Sequence, residues 1–397
     1  MDPTGFRLLL TSVGQEAIQA ATALSPRESD FLIHFQNLSR RFPSDLARAA
    51  LETAILRNEA AVKFPFADKL YFTREALEQA SSYEVSTYRT ERFRSFPILA
   101  DLGCSIGGDT FTLAKIAPTL ALDRDPLRIL IASANLHALG LSTNVLLIRS
   151  DLTAPLPVLP GSAALFFDPA RRSAHRRAFS ISHYQPPLSI VLDWLPRYPS
   201  VGVKISPGVD LSELRGYDAG VEFISLRGEL KEAVLWFGAF KSATRQATIL
   251  PGPHCLSTTA PDPLSIKKPF PITDPKSYLY EPDPAVLRAG LVTSLAERLD
   301  ATQLDPDIAY LTADLAQPTP FARIWPIEDW FPFQLKRLRA YLRQHNVGHV
   351  TVKKRGSPLE PEALIRDLRL KGDQERVVVL THLRSEPIVI ISETPQP

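Results

Sequence analysis

Between Ile98 and Phe240 the chain alternates short apolar runs with helix-length segments: "ILADL", "TLALD", "NVLLIRSD", "AALFFD", "VGVKIS", "VEFISL" and "AVLWFGAF". Strands that are apolar at nearly every position must be covered on both faces, and helical segments between them carry the chain back across the sheet. The pattern predicts an α/β fold built on a doubly wound, Rossmann-like parallel sheet. The last two runs are joined by "RGELKE", too short for a crossover helix, so an antiparallel pair is expected at the sheet edge.

Around this sheet the pattern changes twice. Residues 1–85 read as a helical region: in "FPSDLARAALETAILRNEAAVKF", Ser44 is a candidate N-cap, and Ala47, Ala50, Leu51, Ala54 and Ile55 recur at helical spacing. Ser81 followed by Glu84 is a capping-box signature, which predicts one more short helix before the sheet domain of residues 86–245. Residues 246–274 are proline-rich and read as a linker. Beyond it, "AVLRAGLVTSLAERL", "PFQLKRLRAYLRQH" and "PEALIRDLRL" read as helices, "HVTVKK" and "RVVVLTHL" as strands, together a small α+β domain.

Acids mark the ends of four successive predicted strands: Asp101, Asp123, Asp151 and Asp168. Ligands of open α/β sheets bind at the carboxyl ends of the strands, so these four carboxylates should converge on one crevice. Their mutual repulsion would be offset by a ligand that brings positive charge or hydroxyl and amine donors. A pyrophosphate does the opposite, and the turn Gly103-Cys104-Ser105-Ile106-Gly107-Gly108 has a serine where the second glycine of a dinucleotide fingerprint would stand. S-adenosylmethionine, with its sulfonium, ammonium, ribose diol and adenine amine, fits the charge pattern, and it is the expected cofactor. Asp123 lies 22 residues after Asp101, the interval at which an acid reaches ribose hydroxyls in nucleotide-binding βαβ units.

"DPARR", from Asp168 to Arg172, is the candidate reactive segment: proline stiffens the turn, and the aspartate oxygens can orient a nucleophile for in-line transfer. Arg171, Arg172, Arg176 and Arg177, with His175 among them, form a local basic patch that could face a phosphate backbone or simply be a solvated, salt-bridged loop. Cys104 has no base near it in sequence and reads as a small packing residue of the cofactor turn rather than a nucleophile. The histidines lack metal-ligand spacing apart from His345 and His349, so no metal is expected. Formal charge is only +2, so any nucleic-acid surface must be local; "LKRLR" (Leu335 to Arg339) and "VKKRG" (Val352 to Gly356) are candidates. Two distant cysteines and no apolar run approaching about 20 residues point to a soluble, cytoplasmic protein with no membrane span.

The stretches "DLGCSIGGDT", "ALDRD", "SDL" and "DPARR" resemble class I S-adenosylmethionine-dependent methyltransferases. With "YFTREALEQASSYEVSTYRTERF", "KISPGVDLSEL", "RGELKEAVLWFG", "YLYEPDPAVLRAGL" and "VTVKKRGSPLEPEALIRDLRLKG", the chain is similar to a bacterial group of these enzymes that ends in ferredoxin-like and THUMP-like parts. The resemblance implies a ferredoxin-like segment at 275–318 and a THUMP-like domain at 319–397. It implies that Asp101, Gly103 and Gly107 shape the methionine end of the pocket, with Cys104 in the same turn. Asp123, with Arg124, would bind the ribose, Asp151, with Leu152, the adenine, and Asp168 and Pro169 would stand at the transfer site. It further implies RNA, tRNA or rRNA, as methyl acceptor, met by Arg171, Arg172, Lys353, Lys354 and Arg355. Ala170 and Arg171 occupy the places where enzymes that methylate exocyclic base amines carry proline and an aromatic residue. Methylation of a protein or small molecule, and a non-catalytic RNA-binding factor with a retained pocket, are the competing expectations.

Overall fold

The computed structural model describes residues 2–161, 163–171, 180–260 and 270–393. The chain divides into two compact units: residues 1–220 with 231–242, and residues 221–230 with 243–397.

In the first unit, the predicted helical region and the predicted sheet domain are not separate bodies. Buried residues of the N-terminal region, among them Phe6, Ile18 and Leu51 in helices and Phe64 and Phe72 in the connections between them, share one core with Phe111, Ile131 and Leu136, which belong to helices covering the sheet. A set of short helices has too little apolar surface to be stable alone, and this shared core supplies the missing partner. Two caps fall one residue from their predicted places. Pro43, not Ser44, precedes the helix Ser44–Ala60, and Ser82, not Ser81, caps the helix Tyr83–Thr90 by accepting from the Val85 amide. The Ser81 hydroxyl donates instead to Glu232 at 2.6 Å.

The sheet of this unit contains β1 (Ile98–Leu102), β2 (Thr119–Asp123), β3 (Val145–Arg149) and β4 (Ala163–Phe167). These are followed by Val201–Ile205 and the part of Glu229–Trp236 from Lys231 onward. In space the order is Glu229–Trp236, Val201–Ile205, β4, β1, β2, β3. β1 pairs in parallel with both β2 and β4, and Val201–Ile205 runs antiparallel to Glu229–Trp236. β4 and Val201–Ile205 are buried at every residue, as their unbroken apolar sequence requires. The order reverses between β1 and β4, which places a crevice at their carboxyl ends.

The second unit contains Gly220–Leu226 from Val221 onward, parallel to Arg245–Leu250, which pairs antiparallel with His254–Thr258. These last two strands lie in the segment predicted as linker; its prolines fall in the turn at Pro251 and Pro253 and beyond Thr258, so pairing is not interrupted. A second sheet runs Thr302–Asp305, Ile308–Ala313, Tyr278–Pro282, Ala322–Pro332, Glu386–Glu393, Gln374–Leu383 and Val347–Lys354. The long strand Ala322–Pro332 pairs through its first half with Tyr278–Pro282 and through its second half with Glu386–Glu393. That strand joins the predicted 275–318 and 319–397 segments into one sheet. The helices Leu335–Gln344 and Pro361–Leu368 cover it, burying Leu338, Leu342, Leu364 and Leu368. Among the described residues no helix is long and apolar enough to cross a membrane.

Candidate functional site

At the carboxyl ends of β1 and β4 the chain must turn sharply and stay close to itself. Gly103 has φ +85°, and a Cβ there would lie 2.6 Å from the Asp168 carbonyl oxygen, so only glycine lets the two strand ends approach. The Gly103 and Cys104 amides donate to the Leu122 carbonyl at 2.8 and 2.9 Å, and the Asp168 amide donates to the Leu102 carbonyl at 3.0 Å. Around this turn lies a cavity of about 430 Å³. It is lined by Gly103, Cys104, Asp123, Arg124, Asp151, Leu152, Asp168 and Pro169, with Glu75, Ala76, Gln79 and Ala80 contributed by the N-terminal region. Such a volume suits a nucleoside-sized ligand.

Each acid in or near this cavity has a distinct environment. Asp123 braces the turn: one carboxylate oxygen accepts from the Ser105 amide at 2.9 Å and the other from the Asp125 amide at 2.9 Å. Burial pushes its pKa up, against the pull of those amides and of Arg128. Asp151 accepts from the amide and hydroxyl of Thr153, which lowers its pKa. Asp101 and Gly107 do not line the cavity. Asp101 is 1% exposed; one oxygen accepts from the Thr110 hydroxyl at 2.5 Å, and the other is buried with no partner among the described residues. Burial, then repulsion from Asp109, pushes the Asp101 carboxyl up to about 8. Burial also raises the Cys104 thiol, which fits a packing role.

Asp168 faces a cation that sequence reasoning missed. The Lys204 ammonium donates to an Asp168 carboxylate oxygen at 2.8 Å and to the Gln79 carbonyl at 2.9 Å, and its residue is 5% exposed. Burial is the largest influence on Lys204 and works to lower its pKa, but Asp168, Glu232 and Asp109 outweigh it and hold it above the ordinary lysine value. The signal was in the sequence: a lysine inside the apolar run "VGVKIS" is out of place in a strand covered on both faces unless it is paired. Arg89, 2% exposed, completes the network by pairing with Asp109 and, at 2.8 Å, with Glu232. The Ser86 hydroxyl adds a bond to Asp109 at 2.7 Å.

Two cations, Arg89 and Lys204, are thus enclosed with four acids, Asp101, Asp109, Asp168 and Glu232. Burial and the neighbouring Asp109 favour the protonated form of Asp101 in this cluster. The unpartnered Asp101 oxygen fits a cofactor that carries a sulfonium and an ammonium, and a carboxylate there does not suit a pyrophosphate.

Ala170–Arg171 forms a two-residue antiparallel ribbon with Tyr184–Gln185; Arg172, His175, Arg176 and Arg177 lie outside the described residues. Lys353, Lys354 and Arg355 belong to the second unit, where Lys353 pairs with Glu281 and Lys354 with Glu360. Among the described residues no group of three or more His, Cys, Asp or Glu side chains could hold a metal.

Comparison with known proteins agrees with the charge pattern. The chain is 34% identical over 350 residues to uncharacterized S-adenosylmethionine-dependent methyltransferases of Mycobacterium tuberculosis strains CDC 1551 and H37Rv, spanning 85% of this chain and 94% of each relative. This chain belongs to the S-adenosylmethionine-dependent methyltransferases. It is an enzyme, and S-adenosylmethionine is its cofactor. Residues 322–394 match the THUMP domain-like family, and residues 2–60 match a family described as a domain of unknown function, DUF8688. A crystal structure named as a methyltransferase from Porphyromonas gingivalis W83 shares the fold across 96% of this chain and 99% of its own, with TM-score 0.73 and 20% identity.

Proposed function

We propose that this methyltransferase acts on RNA, with Asp168 and Pro169 at the transfer site. The observation that supports the acceptor class is the match of residues 322–394 to the THUMP domain-like family, since THUMP-type domains are associated with RNA. When bound, the cofactor supplies an electrophilic methyl group on a sulfonium. In our reading Asp101, Gly103, Cys104 and Gly107 hold its methionine end. Asp123 and Arg124 hold the ribose, and Asp151 and Leu152 the adenine.

Lys204 donates to one Asp168 oxygen at 2.8 Å, which leaves the other to accept a hydrogen bond from the acceptor's N–H or O–H. The same contact fixes where the carboxylate points, and orientation is most of what a methyl transfer requires. Arg171 and Arg172 follow Asp168 in sequence and would meet the acceptor's phosphates. Lys353, Lys354 and Arg355 would supply further positive charge from the second unit.

The test incubates the protein with methyl-labelled cofactor and extract from cells lacking its gene, then splits the product between RNase and protease. RNase-sensitive label that is lost in Asp168→Ala, while that variant still binds cofactor, is the expected result. RNase-resistant label moves the acceptor to a protein or small molecule. Cofactor binding without any product supports the non-catalytic reading.

A further inference from the structure

The second unit contains a cleft of about 410 Å³ whose lining includes Lys353 and Arg355, two of the residues read above as meeting the methyl acceptor. Arg227 lines it from a turn, His254 from the start of the strand His254–Thr258, Arg323 from the long strand Ala322–Pro332, and Lys353 and Arg355 from the end of Val347–Lys354 and the residue after it. Four permanent cations therefore meet two acids, Glu281 and Asp283. Both acids are engaged: Glu281 accepts from the Lys353 ammonium at 2.5 Å, and Asp283 caps a helix by accepting from the Ala285 amide at 2.8 Å.

Two of the cations, Lys353 and Arg355, are seated on aromatic rings. The Lys353 ammonium lies 4.7 Å from the centre of the Trp325 ring, and the Arg355 guanidinium lies 4.9 Å from that of Tyr310. A cation seated on an aromatic face has already lost much of the side-chain freedom that binding would otherwise cost. Residues 353 and 355 share one face of the chain by strand alternation. Lys354, between them, pairs with Glu360 instead and does not line the cleft.

Arginine forks match phosphate geometry, and Arg323 and Arg355 in one cleft present two of them. We propose that this cleft is a phosphate-binding site, occupied by the backbone of a nucleic-acid strand or by the phosphate of a small nucleotide. The inference rests on the reading of Lys353 and Arg355 as acceptor-binding residues and adds the cleft and Arg323 to it; its test reads binding alone, so it can fail while methyl transfer to RNA holds.

The test uses the full chain. Binding of a labelled oligouridylate of about twelve nucleotides is followed by anisotropy from about 50 to about 200 mM salt, and binding of UMP by calorimetry. Arg323→Gln and Arg355→Gln should each weaken the bound probe by about tenfold and lower the oligonucleotide's salt slope by about 1. Lys276→Gln, which removes a cation paired with Asp314 away from the cleft, should change neither. Glu281→Gln, which releases Lys353 from its pair, should tighten binding, and it keeps the test decisive if an arginine variant fails to fold. Binding of the oligonucleotide without UMP assigns the cleft to a strand backbone, and binding of UMP alone assigns it to a nucleotide. The proposal is overturned if neither probe binds, or if all three cleft variants bind as the wild type does.

Discussion

Replacing Asp101 by asparagine should remove a proton switch from cofactor binding. In the free protein burial and the neighbouring Asp109 push the Asp101 carboxyl up to about 8, so near neutral pH it is largely protonated. A cationic ligand near the unpartnered oxygen favours the ionised form, so binding expels the proton. If only the ionised form binds well, each pH unit below about 8 weakens affinity about tenfold. At about pH 6 the loss reaches roughly 100-fold, or about 2.7 kcal/mol. Calorimetry between about pH 6 and 9, in two buffers with different ionisation enthalpies, would read both the affinity and the released proton. The cofactor's own α-amino group titrates in the same range, at about 8, so the deciding comparison is wild type against Asp101→Asn. The variant should show a flatter pH dependence and release less than the wild type by up to one proton. Identical curves would refute the placement of Asp101 beside the cofactor's charge.

The other predictions concern the scaffold of the site. Lys204→Met should destabilise the protein by about 3 kcal/mol, because it leaves buried carboxylates without their cation, and should abolish transfer; urea unfolding and a label assay would check both. Gly103→Ala should cost about 2 kcal/mol or more, since it adds a positive-φ penalty to a backbone clash with Asp168, and cofactor should no longer protect the variant against thermal unfolding. Burial, then the charges of Lys204 and Lys231, lower the Lys63 ammonium to about 8. Across about pH 8 to 10.5 the unfolded chain therefore holds a proton that the folded chain has released, so stability should rise with pH through that window. Thermal melts of wild type and Lys63→Met would show this rise in the first and not in the second.

The sheet was legible because parallel strands covered on both faces leave a pattern that loops and amphipathic helices do not: apolar at every position, then an acid where the strand meets the crevice. β1, β2 and β4 follow it closely, whereas β3, at the sheet edge, has no buried residue and ends in Arg149. What the pattern could not carry was information about partners far away in sequence. Nothing in residues 1–85 announces that Phe64 and Phe72 pack with Phe111, so a helical region read as separate belongs to the same unit as the sheet. Likewise Ala322–Pro332, interrupted by Pro326, lacks the alternation of an isolated strand; it forms because it has a different neighbour at each end and a register shift between Ile327 and Asp329.

The site was half legible for a related reason. Acids at strand ends are visible one strand at a time, but the cations that govern them come from elsewhere: Arg89 from a preceding helix and Lys204 from a later strand. Four carboxylates alone would seem an arrangement that only a cofactor could stabilise. Arg89 and Lys204 pair with Asp109, Glu232 and Asp168, while Asp123 and Asp151 are held by backbone amides and the Thr153 hydroxyl. Each acid thus has its own partners within the protein, so the cluster does not depend on a cofactor to offset the repulsion of four neighbouring carboxylates.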